Sequence, residues 1–162
     1  IYRSQVLNKF TSPAHRLEMD PDLLRTISVE SVMQASRVLC LNAKKTIHEA
    51  ERDINTFNVL FPDSAVTHTY PVYDGDEYLG ILDWSLVLRN IVSIEGSADV
   101  LLVSDCITHS PLLPISADLH SAMKFMLKHS MNEVYVKNSK GEIVGTISAA
   151  TILSAYDRVV RE

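Results

Sequence analysis

The chain has 162 residues, 46% of them hydrophobic, which provides enough apolar surface for one ordinary domain or two very small ones. Its net charge of -5, with no cluster of Lys and Arg, argues against a nucleic-acid-binding protein, because neutralising phosphates requires a local excess of positive charge. No stretch approaches the ~20 apolar residues of a membrane-spanning helix, and no signal peptide is recognisable.

In the N-terminal segment, residues 1–28, a polar stretch that contains Pro13 and Pro21 follows Leu7 and Lys9. It begins at Ile1 with no start methionine, so we expect a piece of a longer protein in which this segment is a linker. The short hydrophobic stretch from Val29 to Met33 then leads into the first of two similar units.

The first unit, residues 29–92, combines a helix, a hairpin and a second helix. Apolar residues at helical spacing predict the first helix, and β-type residues around a Gly-containing turn predict the hairpin. Pro62 interrupts regular secondary structure, so residues 58–66 are predicted to form a longer loop. A further helix is expected over residues 85–92. The helix stripe is Ile47, Ala50, Ile54 and Phe57; the hairpin strands are Tyr70 to Tyr73 and Tyr78 to Leu82.

The second unit, residues 100–162, follows a linker at residues 93–99 and repeats the same order. Ser116 is a candidate N-cap for its first helix, and a final helix is expected from Ala149 to about Val160. The helix stripe is Leu119, Ala122, Met123, Met126 and Leu127; the hairpin strands are Val134 to Val136 and Ile143 to Ile147.

Both units therefore read strand, helix, strand, strand, helix, which predicts an α/β (α+β) fold. A unit of this size buries little surface alone, so we expect the two βαββα units to pack sheet against sheet with pseudo-twofold symmetry.

The duplicated hairpin resembles the cystathionine-β-synthase repeat, or CBS domain. The resemblance rests on Pro71 and Val72 through Gly80 to Leu82, repeated as Tyr135 and Val136 through Gly145 to Ile147. The lead-in from Val29 to Met33 has a weaker second version from Val103 to Ile107. The resemblance implies a tandem CBS-domain pair with clefts between its halves, which in many family members hold adenine nucleotides.

The family pattern places a hydroxyl three residues and a ribose-binding carboxylate six residues after the hairpin glycine. Ser148 supplies the hydroxyl after Gly145, but Thr151 replaces the carboxylate. In the first unit, the hairpin glycine is Gly80, and Asp83 replaces the hydroxyl while Leu86 replaces the carboxylate. We therefore expect the first unit to have no competent nucleotide site. No cofactor is required by this reading, and any binding of ATP, ADP or AMP is expected to be weak. The candidate cleft is lined by Ser148, Thr151, Thr67, His68 and Tyr70.

The opening residues Ile1, Tyr2, Leu7 and Lys9 resemble the junction between the last membrane helix and the cytoplasmic domain of a chloride-channel family protein. That resemblance implies a regulatory domain on the cytoplasmic side of the cell membrane, with the transmembrane chloride-transport domain of the same chain as its partner. It also implies a homodimer formed through the CBS modules. The candidate dimer contacts are apolar residues of the terminal helices, each of which could equally belong to the core: Trp84, Leu88, Ile152 and Tyr156.

We expect neither catalysis nor a metal site. The six histidines are scattered without a metal-binding spacing, and no nucleophile elbow or phosphate loop is present. Two alternatives use the same fold: an adenine-nucleotide-sensing module of a cytosolic enzyme, and the cytoplasmic part of a magnesium or other ion transporter.

Overall fold

The computed structural model describes residues 19–63, 68–91 and 97–162, and these residues divide between two compact units. Of the described residues, the terminal unit contains 19–36 and Leu112–Glu162, and the central unit contains 37–63, 68–91 and 97–111. In chain order the elements are α1 (Pro21–Arg25), α2 (Val29–Val32), β1 (Gln34–Ala35), β2 (Leu41–Asn42), α3 (Ile47–Leu60), β3 (Thr69–Asp74), β4 (Glu77–Asp83), α4 (Trp84–Ile91), two 3₁₀ helices (Ser97–Asp99 and Val103–Cys106), β5 (Leu113–Pro114), α5 (Leu119–Lys128), β6 (Glu133–Lys137), β7 (Ile143–Ser148) and α6 (Ala149–Arg161).

Each unit contains the predicted strand, helix, strand, strand, helix sequence. In the central unit, β2 runs parallel to β3 and β3 pairs antiparallel with β4. In the terminal unit, β5 runs parallel to β6 and β6 pairs antiparallel with β7. Among the residues described, the sheet orders are β2-β3-β4 and β1-β7-β6-β5. The mixed α/β fold class and both predicted hairpins are therefore confirmed.

The apolar stripes of α3 and α5 form the centre of one core in each unit. Ile47, Ala50 and Ile54 are buried in the central unit. In the terminal unit, the buried face of α5 is built from Leu119, Ala122, Met123 and Met126, and Leu127 packs against it. Burial of one such large side chain contributes roughly 1.5–3 kcal/mol, so these stripes are a principal source of stability.

The two lead-in segments lie beside hairpins from the other repeat. After the short helix α2, strand β1 pairs antiparallel with β7, so the first lead-in completes the terminal sheet. After the 3₁₀ helix Val103–Cys106, Thr108 forms an isolated antiparallel bridge with Ile81 of β4. Each compact unit thus combines a lead-in with the hairpin that is distant from it in sequence. The predicted repeat bounds, 29–92 and 100–162, describe sequence similarity, and they remain a prediction.

The hairpin glycines leave room for these crossing segments. A methyl group on Gly145 would overlap the carbonyl oxygen of Gln34, and one on Gly80 would lie 2.5 Å from the carbonyl oxygen of Thr108. Gly80 also has a φ of 155°, which L side chains rarely adopt. The absence of a side chain at both positions follows from the close approach of another backbone.

Two local predictions about helix ends were wrong. Asp118, not Ser116, caps α5, because its carboxylate accepts a hydrogen bond from the Ser121 backbone N–H at 2.7 Å. The expected loop over residues 58–66 begins later, since α3 continues to Leu60 and ends beside Pro62. Residues 64–67 lie outside the described residues.

The predicted dimer contacts occupy different environments. Ile152 is fully buried in the terminal core, so the dimer contact is wrong for it and the alternative of a core residue is confirmed. The stripe that places it beside Ala149 and Ala155 faces the sheet. Trp84 packs against the central core, and the Tyr156 hydroxyl accepts a hydrogen bond from the Asp20 backbone N–H at 2.8 Å. Leu88 is 45% exposed and stays a candidate contact.

None of the helices in the described ranges is long and apolar enough to span a bilayer.

Candidate functional site at the strand-to-helix corners

The corner between β7 and α6 is built around two hydroxyl groups. Ser148 ends β7 in an extended conformation and is the N-cap of α6. Its Oγ accepts a hydrogen bond from the Thr151 backbone N–H at 3.1 Å and lies 2.8 Å from Thr151 Oγ1. Both side chains are half-buried. The hairpin delivers Ser148 to the helix start, and one helical turn brings Thr151 above it.

This hydroxyl pair is neutral and lies at the positive end of a 13-residue helix. If Ser148 donates to Thr151 Oγ1, the Thr151 hydroxyl proton is left to donate to an oxygen of a ligand. Its one side-chain oxygen then accepts from Ser148 with one of two lone pairs, so it cannot also accept from two ribose hydroxyls as a carboxylate can. The corner can therefore contact a sugar or a phosphate, with fewer and weaker hydrogen bonds than a carboxylate-containing corner.

The corresponding corner between β4 and α4 carries a negative charge. The Asp83 carboxylate accepts hydrogen bonds from the backbone N–H groups of Ser85 at 3.0 Å and Leu86 at 3.3 Å. The carboxylate thereby satisfies the same donors that attract an anion to a helix start, and its charge repels phosphate. Leu86, in the position of the family's carboxylate, is 44% exposed.

The remaining predicted cleft residues belong to the central unit. Tyr70 is only 4% exposed and is part of the central core. His68 has an exposed side chain, and its carbonyl oxygen accepts a hydrogen bond from the Trp84 backbone N–H at 2.7 Å. Thr67 lies outside the described residues. The structure therefore brings Ser148 and Thr151 together, and the predicted cleft that joins them to His68 and Tyr70 stays a prediction.

A pocket of about 390 Å³ opens beside the Ser148–Thr151 corner, within the terminal unit. It combines hydroxyl groups, a guanidinium group and a small apolar surface. Its lining residues are Ser31, Val32, Ala150, Thr151, Ser154 and Arg158. Sequence reasoning did not find this pocket, although the spacing of Thr151, Ser154 and Arg158 predicts one polar stripe on α6. The wall from α2 is set by tertiary packing.

A second polar cluster of the terminal unit joins α1 to α5. The Arg25 guanidinium forms an ion pair with Asp22 at 2.7 Å and lies 3.3 Å from His120 Nε2. Burial, together with the positive charges of Arg25 and Lys124, lowers the pKa of His120, and this outweighs the opposing effect of Asp118 and Asp22. His120 Nδ1 is buried and has no hydrogen-bond partner among the residues that the structure describes. The lowered pKa favours the neutral form of the ring between α1 and α5.

Comparison with known proteins identifies the second repeat. Residues 103–158 match the family model described as CBS domain. This part of the chain is a CBS domain. The match includes Ser148, Thr151, Ser154 and Arg158, whereas the pocket residues Ser31 and Val32 lie outside it.

Solved structures of CBS proteins share the fold over most of the chain. The CBS domain of a bacterial CNNM/CorC family Mg²⁺ transporter in complex with ATP is 15% identical, with a TM-score of 0.63, over 85% of this chain and 92% of that one. A CBS domain-containing protein of unknown function from Bacillus anthracis str. Ames Ancestor is 16% identical, with a TM-score of 0.62, over 86% of this chain and 99% of that one. No curated protein matches the chain by sequence. At these identities the structural likeness shows the fold alone, and that fold is the one of a CBS pair.

Proposed function

We propose that the chain is a non-catalytic regulatory module of a membrane ion-transport protein, and that its CBS domain binds adenine nucleotides weakly. The observation that carries this proposal is the Ser148–Thr151 hydroxyl pair at the start of α6, where the family's charged ribose contact is replaced by a neutral group.

The resemblance of the opening residues supports a chloride channel or chloride/proton exchanger as the parent protein. In that setting the module lies on the cytoplasmic side of the membrane, next to the transmembrane domain of the same chain. A magnesium or other metal-ion transporter is the second candidate parent, favoured by the fold shared with the CNNM/CorC transporter domain. Both parents use the module in the same physical way.

The mechanism is a shift in a conformational equilibrium. A ligand that binds one arrangement of the module more tightly shifts the transport domain by that difference in affinity and by no more. A weak nucleotide site therefore gives weak regulation, unless a partner adds binding free energy. Module-to-module pairing supplies such a partner, and Leu88, which is 45% exposed on α4, is a candidate contact for it.

Titration calorimetry with ATP, ADP and AMP tests the nucleotide part of the proposal. We expect millimolar binding by the unaltered chain and about tenfold tighter binding by Thr151→Asp, because a charged acceptor adds roughly 1.5 kcal/mol or more to a ribose contact. Leu86→Asp is the matched control at the other corner, and it should leave the affinity unchanged because Asp83 still occupies the helix start.

An unchanged affinity in Thr151→Asp would count against the position proposed for the nucleotide. Micromolar binding by the unaltered chain, with discrimination among the three phosphates, would instead favour the adenylate-sensing module of a cytosolic enzyme.

A further inference from the structure

We propose that the pocket between α2 and α6 is a binding site for a single phosphate group, held chiefly by Arg158. The site shares Thr151 with the nucleotide corner, but its principal group is different: a cation on the side of α6, whereas the corner has only neutral hydroxyls at the helix start. It does not require the proposed nucleotide function, since phosphate alone can be the ligand.

Three side chains of one α6 stripe face this pocket. Thr151, Ser154 and Arg158 are separated by three and four residues, so their directions fall within about 60° of one another around the helix. Together they present one guanidinium group and two hydroxyl groups along roughly 10 Å of helix. This arrangement supplies several hydrogen-bond donors to one small ligand.

The donors of this stripe are available. Across the described ranges, Arg158 forms no ion pair and the Ser154 side chain makes no hydrogen bond. The Thr151 hydroxyl shares a hydrogen bond with Ser148, and when Ser148 is the donor in that bond the Thr151 proton is available to a ligand. The neighbouring Asp157 is exposed and lies about 100° from Arg158 and about 60° from Ser154 around the helix. Within the described ranges it forms no ion pair with Arg158.

The opposite wall limits the ligand to a small group. On α2, Val32 is apolar and the Ser31 hydroxyl already donates to the Ser28 carbonyl oxygen at 2.8 Å. Ala150, in the first turn of α6, adds a second apolar side chain. The volume of about 390 Å³ is near the lower end for ligand pockets. A guanidinium group pairs with two oxygens of a phosphate at once, and the hydroxyls suit its remaining oxygens. These features favour phosphate over a cation or an apolar ligand.

The test is a titration of the 162-residue chain with sodium phosphate, followed by NMR at constant ionic strength with chloride as the counter-anion. We expect saturable shifts that localise to α2 and α6. Arg158→Gln should weaken phosphate binding at least tenfold, and Ser154→Ala a few-fold. Arg161→Gln removes an equal charge three residues further along the same helix, outside the pocket, and should leave binding unchanged.

The source of the phosphate group is distinguished by comparing inorganic phosphate, AMP and adenosine. Binding of phosphate that depends on Arg158 supports a free oxyanion as ligand, and binding of AMP alone that depends on Arg158 supports the phosphate group of a nucleotide. Equal weakening by Arg158→Gln and Arg161→Gln, or no binding of phosphate and AMP, overturns the proposal. Because adenosine lacks the phosphate group, adenosine binding that is insensitive to Arg158 tests the nucleotide corner alone.

Discussion

The two strand-to-helix corners have the same backbone design and opposite chemistry. Each follows the second strand of a hairpin, and each begins a helix with a side-chain cap. Ser148 caps α6 with a neutral hydroxyl that lies beside Thr151, whereas Asp83 caps α4 with a carboxylate that lies beside exposed Leu86. Duplication of a fold therefore preserves the helix start and leaves its charge free to differ, and that charge decides which corner can accept an anionic ligand.

The largest expected effect on stability comes from substitutions in the backbone arrangement that the two corners share. Gly145→Ala and Gly80→Ala should each lower the free energy of unfolding by about 3 kcal/mol or more, because a methyl group would meet the backbone of a crossing lead-in. Urea unfolding of the purified variants measures this change.

Gly75→Asn is the control for these two variants. Gly75 has a φ of 61° and nothing within 4 Å of an added Cβ, and Asn tolerates that conformation. A loss of stability in Gly75→Asn as large as that of Gly145→Ala would show that the crossing segments are not the cause.

The caps themselves should have a smaller effect, which differs between the corners. Ser148→Ala and Asp83→Ala each remove a side-chain acceptor from a helix start, at a cost of about 1 kcal/mol. Asp83→Ala should cost more at low salt, because its carboxylate also interacts with the positive end of α4. The measurement is urea unfolding at two salt concentrations; the same salt dependence at both corners would contradict the charge difference.

The smallest expected effect on stability at neutral pH comes from the histidines in the helices that precede the hairpins. His120 and His48 are both the second residue of their helix, but His120 packs beside Arg25 and His48 is exposed. The folded state holds the pKa of His120 below the ordinary value of 6.5, so the unfolded chain binds a proton first as the pH falls. The free energy of unfolding should therefore have its full value above about pH 6.5 and should decrease as the pH falls below it.

Unfolding experiments between pH 7.5 and pH 5 (roughly the range over which a histidine titrates) would measure this loss. His120→Gln should reduce the acid-dependent part, and His48→Gln should leave it intact. The prediction fails if both variants retain the same pH dependence as the unaltered chain.

The sequence predicted the parts of the fold that depend on local pattern. The stripes from Ile47 and from Leu119, the two hairpins and both final helices were found, because apolar spacing and turn residues report directly on neighbours in the chain. Helix ends were less well predicted: several polar residues near α5 can cap it, and only the backbone geometry selects Asp118 over Ser116.

The candidate site was predicted in part for the same reason. Ser148 and Thr151 are three residues apart, so the hydroxyl pair follows from helix geometry. The pocket beside them was missed, since Ser31 and Val32 are more than 110 residues away and reach α6 only through packing.

The amino-acid sequence alone determined that the chain repeats one βαββα order and which corner lacks a negative charge, since both properties depend on the identity and spacing of residues close in the chain. Only the tertiary structure decided that each lead-in joins the hairpin of the other repeat, that Gly145 and Gly80 must remain without side chains, and that Arg158 faces a pocket. These properties depend on which backbone lies beside another, and no local pattern contains that information.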